Sequence, residues 1–283
     1  MKIRKPCAAG SFYAGTKDEL TDQITRCFTH RFGPGSVPKP ILDGPRKLVG
    51  IVSPHAGYMY SGPVAANGYG RVAADGMPDA FVILGPNHTG QGSGLSIQTE
   101  GAWETPMGVA SIDSDLARKI HQSSGLTDID ERAHANEHSI EVQLPFVQFL
   151  FKDAVKFVPI CMMMQDLETC REVAKSIIEA TKGKHAVIIA SSDFTHYEPH
   201  ETASRKDKEA IDAILRLDDE ALNGLGESSR VTMCGYGPIT TLIAAAKMLK
   251  NTTGELLAYR TSGEITGEHG AVVGYCSLAL FHG

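Results

Sequence analysis

Three histidines and a cysteine stand where short apolar runs end or a helix opens. LVGIVS (48–53) leads into Pro54-His55-Ala56-Gly57-Tyr58, and AFVIL (80–84) into Gly85-Pro86-Asn87-His88-Thr89-Gly90. AVIIA (186–190) leads into Ser191-Ser192-Asp193-Phe194-Thr195-His196-Tyr197, and Met233-Cys234-Gly235-Tyr236-Gly237-Pro238 precedes a helical pattern. In parallel sheets, ligands bind outside the carboxyl ends of the strands. If these strands run parallel, the four segments meet on one rim. Two neutral imidazoles and one anionic donor make a three-ligand metal set that leaves positions open for water or substrate. His55 and His88 are the natural imidazole pair. Cys234 supplies a thiolate, because a metal stabilises the deprotonated sulfur and a helix N-terminus lowers a thiol pKa. Asp193 is the alternative anionic ligand. The plainer reading, that each residue packs a turn, suits any one of them better than it suits the set.

A further cluster is HANEHSIEVQLP (134–145). A helix starting near Ser139 would put His138 at its mouth, with Glu137 or Glu141 favouring its first turn. The cluster reads either as a helix cap or as an acid–base or substrate-binding histidine oriented by a carboxylate. HExxH is absent, as are a Walker loop and a GxGxxG after a strand, which argues against a zinc peptidase and against nucleotide binding. No GxSxG elbow occurs. Met162-Met163-Met164 offers soft thioethers, but between a strand and a helix methionine is an ordinary gap filler.

The elements that must position these residues follow from the apolar pattern. Buried strands are expected at 48–53, 80–84, 155–160, 186–190 and 271–280, with shorter ones at 95–99 and 256–260. Helical patterns cover 17–28, 115–123, 139–151, 166–181, 202–217 and 238–250. Strand and helix alternate along the whole chain, which predicts one α/β domain over residues 1–283. The Pro/Gly-rich stretch 33–46 is a loop and a weak boundary.

Composition narrows the function classes. Lys and Arg total 27 against 33 Asp and Glu, a net charge of −6, which speaks against nucleic acid as a partner. No apolar run approaches the ~18 residues of a membrane span. The start, MKIRKPCAAG, is basic but lacks the apolar core of a signal peptide. Six cysteines at 7, 27, 161, 170, 234 and 276 form no CxxC pair, so a reducing, cytoplasmic location is expected.

Seven motifs in order resemble the Memo family, whose microbial members are also called AmmeMemoRadiSam system protein B. They are AAGSFYAG (8–15), SPHAGYMYSG (53–62), LGPNHTG (84–90), WETPMG (103–108), NEHSIEVQLPF (136–146), SSDFTHY (191–197) and MCGYGP (233–238). The resemblance implies a fold like that of the class III extradiol (LigB-like) non-haem iron dioxygenases. That fold is a single α/β domain with a central mostly parallel or mixed sheet flanked by helices. Those enzymes hold Fe(II) with two His and one Glu. Memo-like proteins carry Cys in the third position, so the resemblance implies His55, His88 and Cys234 as ligands. They would hold one divalent or redox metal ion, Fe(II) or copper ahead of zinc.

His196 resembles the catalytic histidine of the dioxygenases and His138 a second pocket histidine. With Asp193 they form the expected catalytic group. Phe12, Tyr58, Asn87 and Glu137 complete the expected pocket. The implied function is a mononuclear, metal-dependent oxidoreductase. Thiolate in place of Glu widens the chemistry from oxygen insertion to redox reactions in general. The alternative is a non-catalytic binding or adaptor protein that uses the pocket for a peptide or small ligand, as animal members are described to do for phosphotyrosine peptides. Here Phe12 stands for the family's Trp, and Glu198-Pro199-His200-Glu201 follows SSDFTHY without an Arg-rich run. Phosphate recognition favours Arg, so weaker phosphopeptide binding is expected. The family name also implies association with a radical-SAM protein and an AMMECR-type protein.

Overall fold

The computed structural model of the chain describes residues 2–152 and 156–283. Its strands are β1 (Ile3–Arg4), β2 (Leu48–Ser53), β3 (Ala80–Pro86), β4 (Leu95–Ile97), β5 (Ala102–Thr105) and β6 (Gly108–Ile112). They continue with β7 (Asp128–Ile129), β8 (Lys156–Met162), β9 (Ala186–Ser191), β10 (His196–Glu198), β11 (Thr253–Thr261) and β12 (Val272–Phe281). The helices are α1 (Lys17–Thr29), α2 (Tyr58–Asp75), α3 (Ser114–Ser124), α4 (Arg132–Ala135) and α5 (Leu144–Phe151). After these come α6 (Leu167–Ala180), α7 (His200–Leu215), α8 (Asp219–Glu227), α9 (Tyr236–Met248) and α10 (Gly263–Thr266).

Pairing gives one mixed sheet in the order β1-β5-β6-β8-β3-β9-β2-β12-β10, with β11 on β12 and β4 on β8. The centre, β8-β3-β9-β2, is parallel throughout. Every residue of β2 and β3 is buried. That is why these strands read as continuous apolar runs: helices cover both faces, so neither face needs polar residues. The α/β class, the single mixed sheet and its flanking helices are as expected. The 271–280 run is the antiparallel member: β12 pairs antiparallel with both β2 and β11. Val155, the first residue of another expected strand, lies outside the described residues.

The sequence reading missed α2, the 18-residue helix that follows His55. Its Gly and Pro content disguises it, and close packing explains that content. A Cβ on Gly68 would lie 2.8 Å from Ser277 Oγ and 3.1 Å from Ile51 Cδ1, so glycine lets α2 lie against the sheet. The helix expected from 139 starts later. A 3₁₀ turn at Glu141–Gln143 precedes α5, and Pro145 sits in its first turn, where a missing N–H costs nothing. Ser139 is held out of the helix because its N–H donates to Glu137 Oε1 and its hydroxyl to the Pro86 carbonyl. Among the described residues no helix is long and apolar enough to cross a membrane.

Candidate metal centre

His55 follows β2, His88 follows β3, and Ser191 ends β9, the strand between them. The carboxyl ends of three adjacent parallel strands therefore supply two imidazoles and a hydroxyl to one place. The His55 and His88 ring centroids are 5.1 Å apart.

The His55 ring is buried, with Nδ1 2.9 Å from Ser191 Oγ. A hydroxyl has one proton and two lone pairs. Ser191 donates its proton to the Ser139 carbonyl at 2.7 Å and accepts from Gln143 Nε2 at 2.8 Å. The remaining lone pair takes the Nδ1–H of His55, so the lone pair of that ring is on Nε2. Nε2 lies 3.1 Å from Cys234 Sγ, and the thiol donates to it. Burial, with the His88, His138 and His196 charges adding to it, drives the His55 pKa well below the ordinary imidazole value. This ring is a neutral donor ready to ligate.

Glu137 performs the same service for His88. Its Oε1 accepts from His88 Nδ1 at 2.9 Å and from the Ser139 N–H at 2.8 Å, and its Oε2 accepts the His88 main-chain N–H at 2.6 Å. Burial opposes ionisation of Glu137. The hydrogen bonds from His88 and Ser139 outweigh it and hold the carboxyl at about 2. A histidine ligand whose other nitrogen donates to a carboxylate is the usual supporting arrangement in metal sites. The His88 side chain is 33% exposed, so the site opens to solvent on that side.

Cys234 is positioned by the turn before α9. A Cβ on Gly235 would lie 2.2 Å from the Ser191 carbonyl oxygen, so only glycine lets this turn press onto the end of β9. The Gly235 N–H donates to Ser192 Oγ, and the Asp193 N–H donates to Cys234 Sγ at 3.3 Å. The helix-terminus expectation for this thiol needs correcting. Burial first, and the Asp193 carboxylate second, push its pKa well above the ordinary thiol value. The sulfur keeps its proton until a cation displaces it.

One donor atom each from His55, His88 and Cys234 lies within 4.8 Å of the others. His88, Glu137 and His138 form a second such group. It shares His88 with the first, and its carboxylate is already spent on hydrogen bonds.

His138 stacks on His88 with centroids 4.7 Å apart, and lies 5.5 Å from His55. Phe12 covers it at 4.4 Å. Glu141 holds that N-terminal segment in place: its buried carboxylate accepts from the N–H groups of Cys7 and Ala8, the Tyr13 hydroxyl and Arg4. His196 donates Nδ1–H to the Thr232 carbonyl at 2.9 Å, which leaves Nε2 as a base. An extra residue in β10 between His196 and Glu198 interrupts the pairing with β12. Tyr197 takes up that bulge at φ 59° and stands in solvent, while His196 stays half-buried.

Three expected residues are placed as follows. Asp193 accepts the main-chain N–H groups of His55 and Ala56 and so fixes the ligand loop, and it lies close enough to His196 and His88 for their charges to act on it. Burial raises its pKa to about 6. Tyr58 is a packing residue, its hydroxyl donating to the Val142 carbonyl beside Phe146. Asn87 shapes the His88 loop: its Oδ1 accepts from the Thr89 and Gly90 N–H groups, as asparagine does in turns. The sequence reading did not single out Ser191, Gln143, Thr232 and Arg4. Ser191 was visible as the first residue after an apolar run; the other three carried no local signal.

Comparison with known proteins gives a consistent picture. The family described as Memo-like protein matches residues 4–279. A MEMO1 family protein of Methanopyrus kandleri is 47% identical over 282 residues, covering 99% of each chain. One from Methanothermobacter thermautotrophicus is 46% identical over 279 residues, covering 98% of this chain and 100% of that one. A crystal structure of an uncharacterized protein from Escherichia coli K12 superposes with a TM-score of 0.54 at 13% identity. It covers 82% of this chain and 99% of its own, a likeness of fold.

Proposed function

On the premise that the chain belongs to the Memo-like protein family, we propose that it holds one redox-active metal ion between His55, His88 and Cys234 and acts as a non-haem oxidoreductase. The observation that carries this reading is the pair of anchored imidazoles. Ser191 and Glu137 take the Nδ1 side of each ring, which leaves both Nε2 atoms as donors, one of them 3.1 Å from the Cys234 sulfur. The donor set fits a metal. The His55 imidazole is kept neutral, and the thiol proton is the one a cation would displace from the sulfur. Two imidazoles with one thiolate suit iron or copper, and the soft sulfur favours copper(I) over harder ions. A bound metal would supply electron transfer to or from a substrate.

The chain's own residues do the rest. His196 presents a free Nε2 for proton transfer. His138 and Phe12 wall one side of the site. The one-third exposure of His88 leaves a path for a small molecule. Anaerobic purification with metal analysis, followed by oxygen-uptake and dye-reduction assays, tests the reading. It requires about one iron or copper per chain and turnover that vanishes when the metal is removed. A fully metallated protein that turns over nothing would instead mark a binding protein.

A further inference from the structure

A second cavity lies at the opposite end of the same strands. It has a volume of about 410 Å³ and sits where β2 and β9 begin. A six-residue strand spans roughly 17 Å, so the full thickness of the sheet separates it from the metal centre. Its floor is apolar, from Ile177 and Ile178 of α6, Ile188 of β9 and Leu249 after α9. Its rim carries Lys182, Lys184 and Lys250 with His185 and His282, and among the described residues no Asp or Glu side chain lines it.

This distribution is unusual for a chain of net charge −6. Lysines after a helix suit its negative C-terminal end, which would account for Lys182 and Lys184 alone. Lys250 comes from another segment and adds its charge to the same rim. His185, in the cavity wall, has Nε2 3.2 Å from the Leu48 carbonyl and 3.5 Å from Asp75 Oδ2, and a buried Nδ1 with no hydrogen-bond partner among the described residues. An orphaned nitrogen in a wall is satisfied when something polar is brought to it.

We propose that this cavity binds a medium-chain carboxylate, its head at the lysine rim and its hydrocarbon on the isoleucine and leucine floor. The volume falls in the roughly 300–1,000 Å³ range of small-molecule sites, and an apolar floor with a few polar groups at one end is their usual make-up. Three ammonium groups select an anion, and each methylene laid on the apolar floor adds affinity. The proposal is independent of the metal reading, since no residue is shared between the two sites.

Calorimetric titration of the full-length protein with decanoate, octanoate and decylamine, below their micellar concentrations, tests it. Decanoate should bind saturably at one site. Octanoate, two methylenes shorter, should bind about fifteenfold more weakly, following roughly fourfold per methylene, and decylamine should not compete. The exposed-residue variants K182E/K184E and K250E should each weaken decanoate at least tenfold while circular dichroism and melting temperature stay as in the parent. Absence of saturable decanoate binding, equal binding of decylamine, or unchanged affinity in both variants would overturn the proposal.

Discussion

Ser191 and His55, 2.9 Å apart, form the contact that decides which nitrogen of the imidazole carries a proton. The serine proton is committed to the Ser139 carbonyl, so the hydroxyl faces His55 as an acceptor. Ser191→Ala removes the acceptor, leaves Gln143 Nε2 with only its bond to the Pro54 carbonyl, and frees the ring to adopt the other tautomer. Metal affinity should fall about 10–100-fold, as for other supporting partners of metal-bound histidines. Chelator competition measures it. Affinity equal to the parent's would mean that the hydroxyl has no part in orienting the ring.

Glu137→Gln should act on His88 in the same way and also change the acid limb of stability. The Gln amide turns an N–H toward donors that now meet a carboxylate. Because the folded carboxyl sits near 2, below its ordinary 4.5, it stabilises the protein above pH 4.5, and that contribution is lost as pH falls through 2. The parent should lose about 3 kcal/mol through this group across that window. The variant should lose none of it. Urea titrations of the metal-free protein at pH 3 and pH 6 compare the two slopes.

Cys234→Ser and His196→Ala should separate ligand from proton carrier. A serine hydroxyl does not ionise readily enough to replace the thiolate, so the first variant should lose its metal. The second should keep its metal and lose turnover by about 10²–10⁴-fold. Equal metal loss in both would place His196 among the ligands.

Asp193→Asn should stabilise the metal-free protein at neutral pH. Burial raises this carboxyl from 3.8 to about 6, so its contribution is full below pH 4 and disappears as pH rises through 6. Asparagine still accepts from the His55 and Ala56 N–H groups without a charge to bury. The gain at pH 7 should reach at most about 3 kcal/mol and vanish near pH 3.5. A gain of the same size at both pH values would put its cause elsewhere than in the buried charge.

The site was legible where chemistry and strand ends coincide. His55, His88 and Cys234 each follow a run or a turn whose pattern is local, and local pattern is what a sequence displays. The bonds of Asp193 to the His55 N–H and of Tyr58 to the Val142 carbonyl leave no mark in the sequence, because what a carboxylate or hydroxyl faces depends on loop geometry. The support from Gln143 and Thr232 joins residues 48 and 36 positions apart from their partners, a separation that leaves no periodic trace. In the fold, α2 was hidden by glycines whose reason lies across the helix–sheet interface, at Ser277 and Ile51. The late start of α5 was likewise set by a tertiary bond from Ser139 to Pro86.

The insertion of β9 between β3 and β2 also sets an order of events during synthesis. The strands bearing His55 and His88 are made early, yet they do not touch in the finished sheet; each pairs with a strand made about a hundred residues later. At roughly 5–20 residues per second, a ribosome needs some 5–20 s after His88 to deliver Ser191, and longer to deliver Cys234. Until then the two imidazoles have neither the spacing nor the tautomer that the centre requires. A nascent chain at that stage therefore has no assembled site, and the proposed metal would have to enter the folded protein, whose open side is at His88.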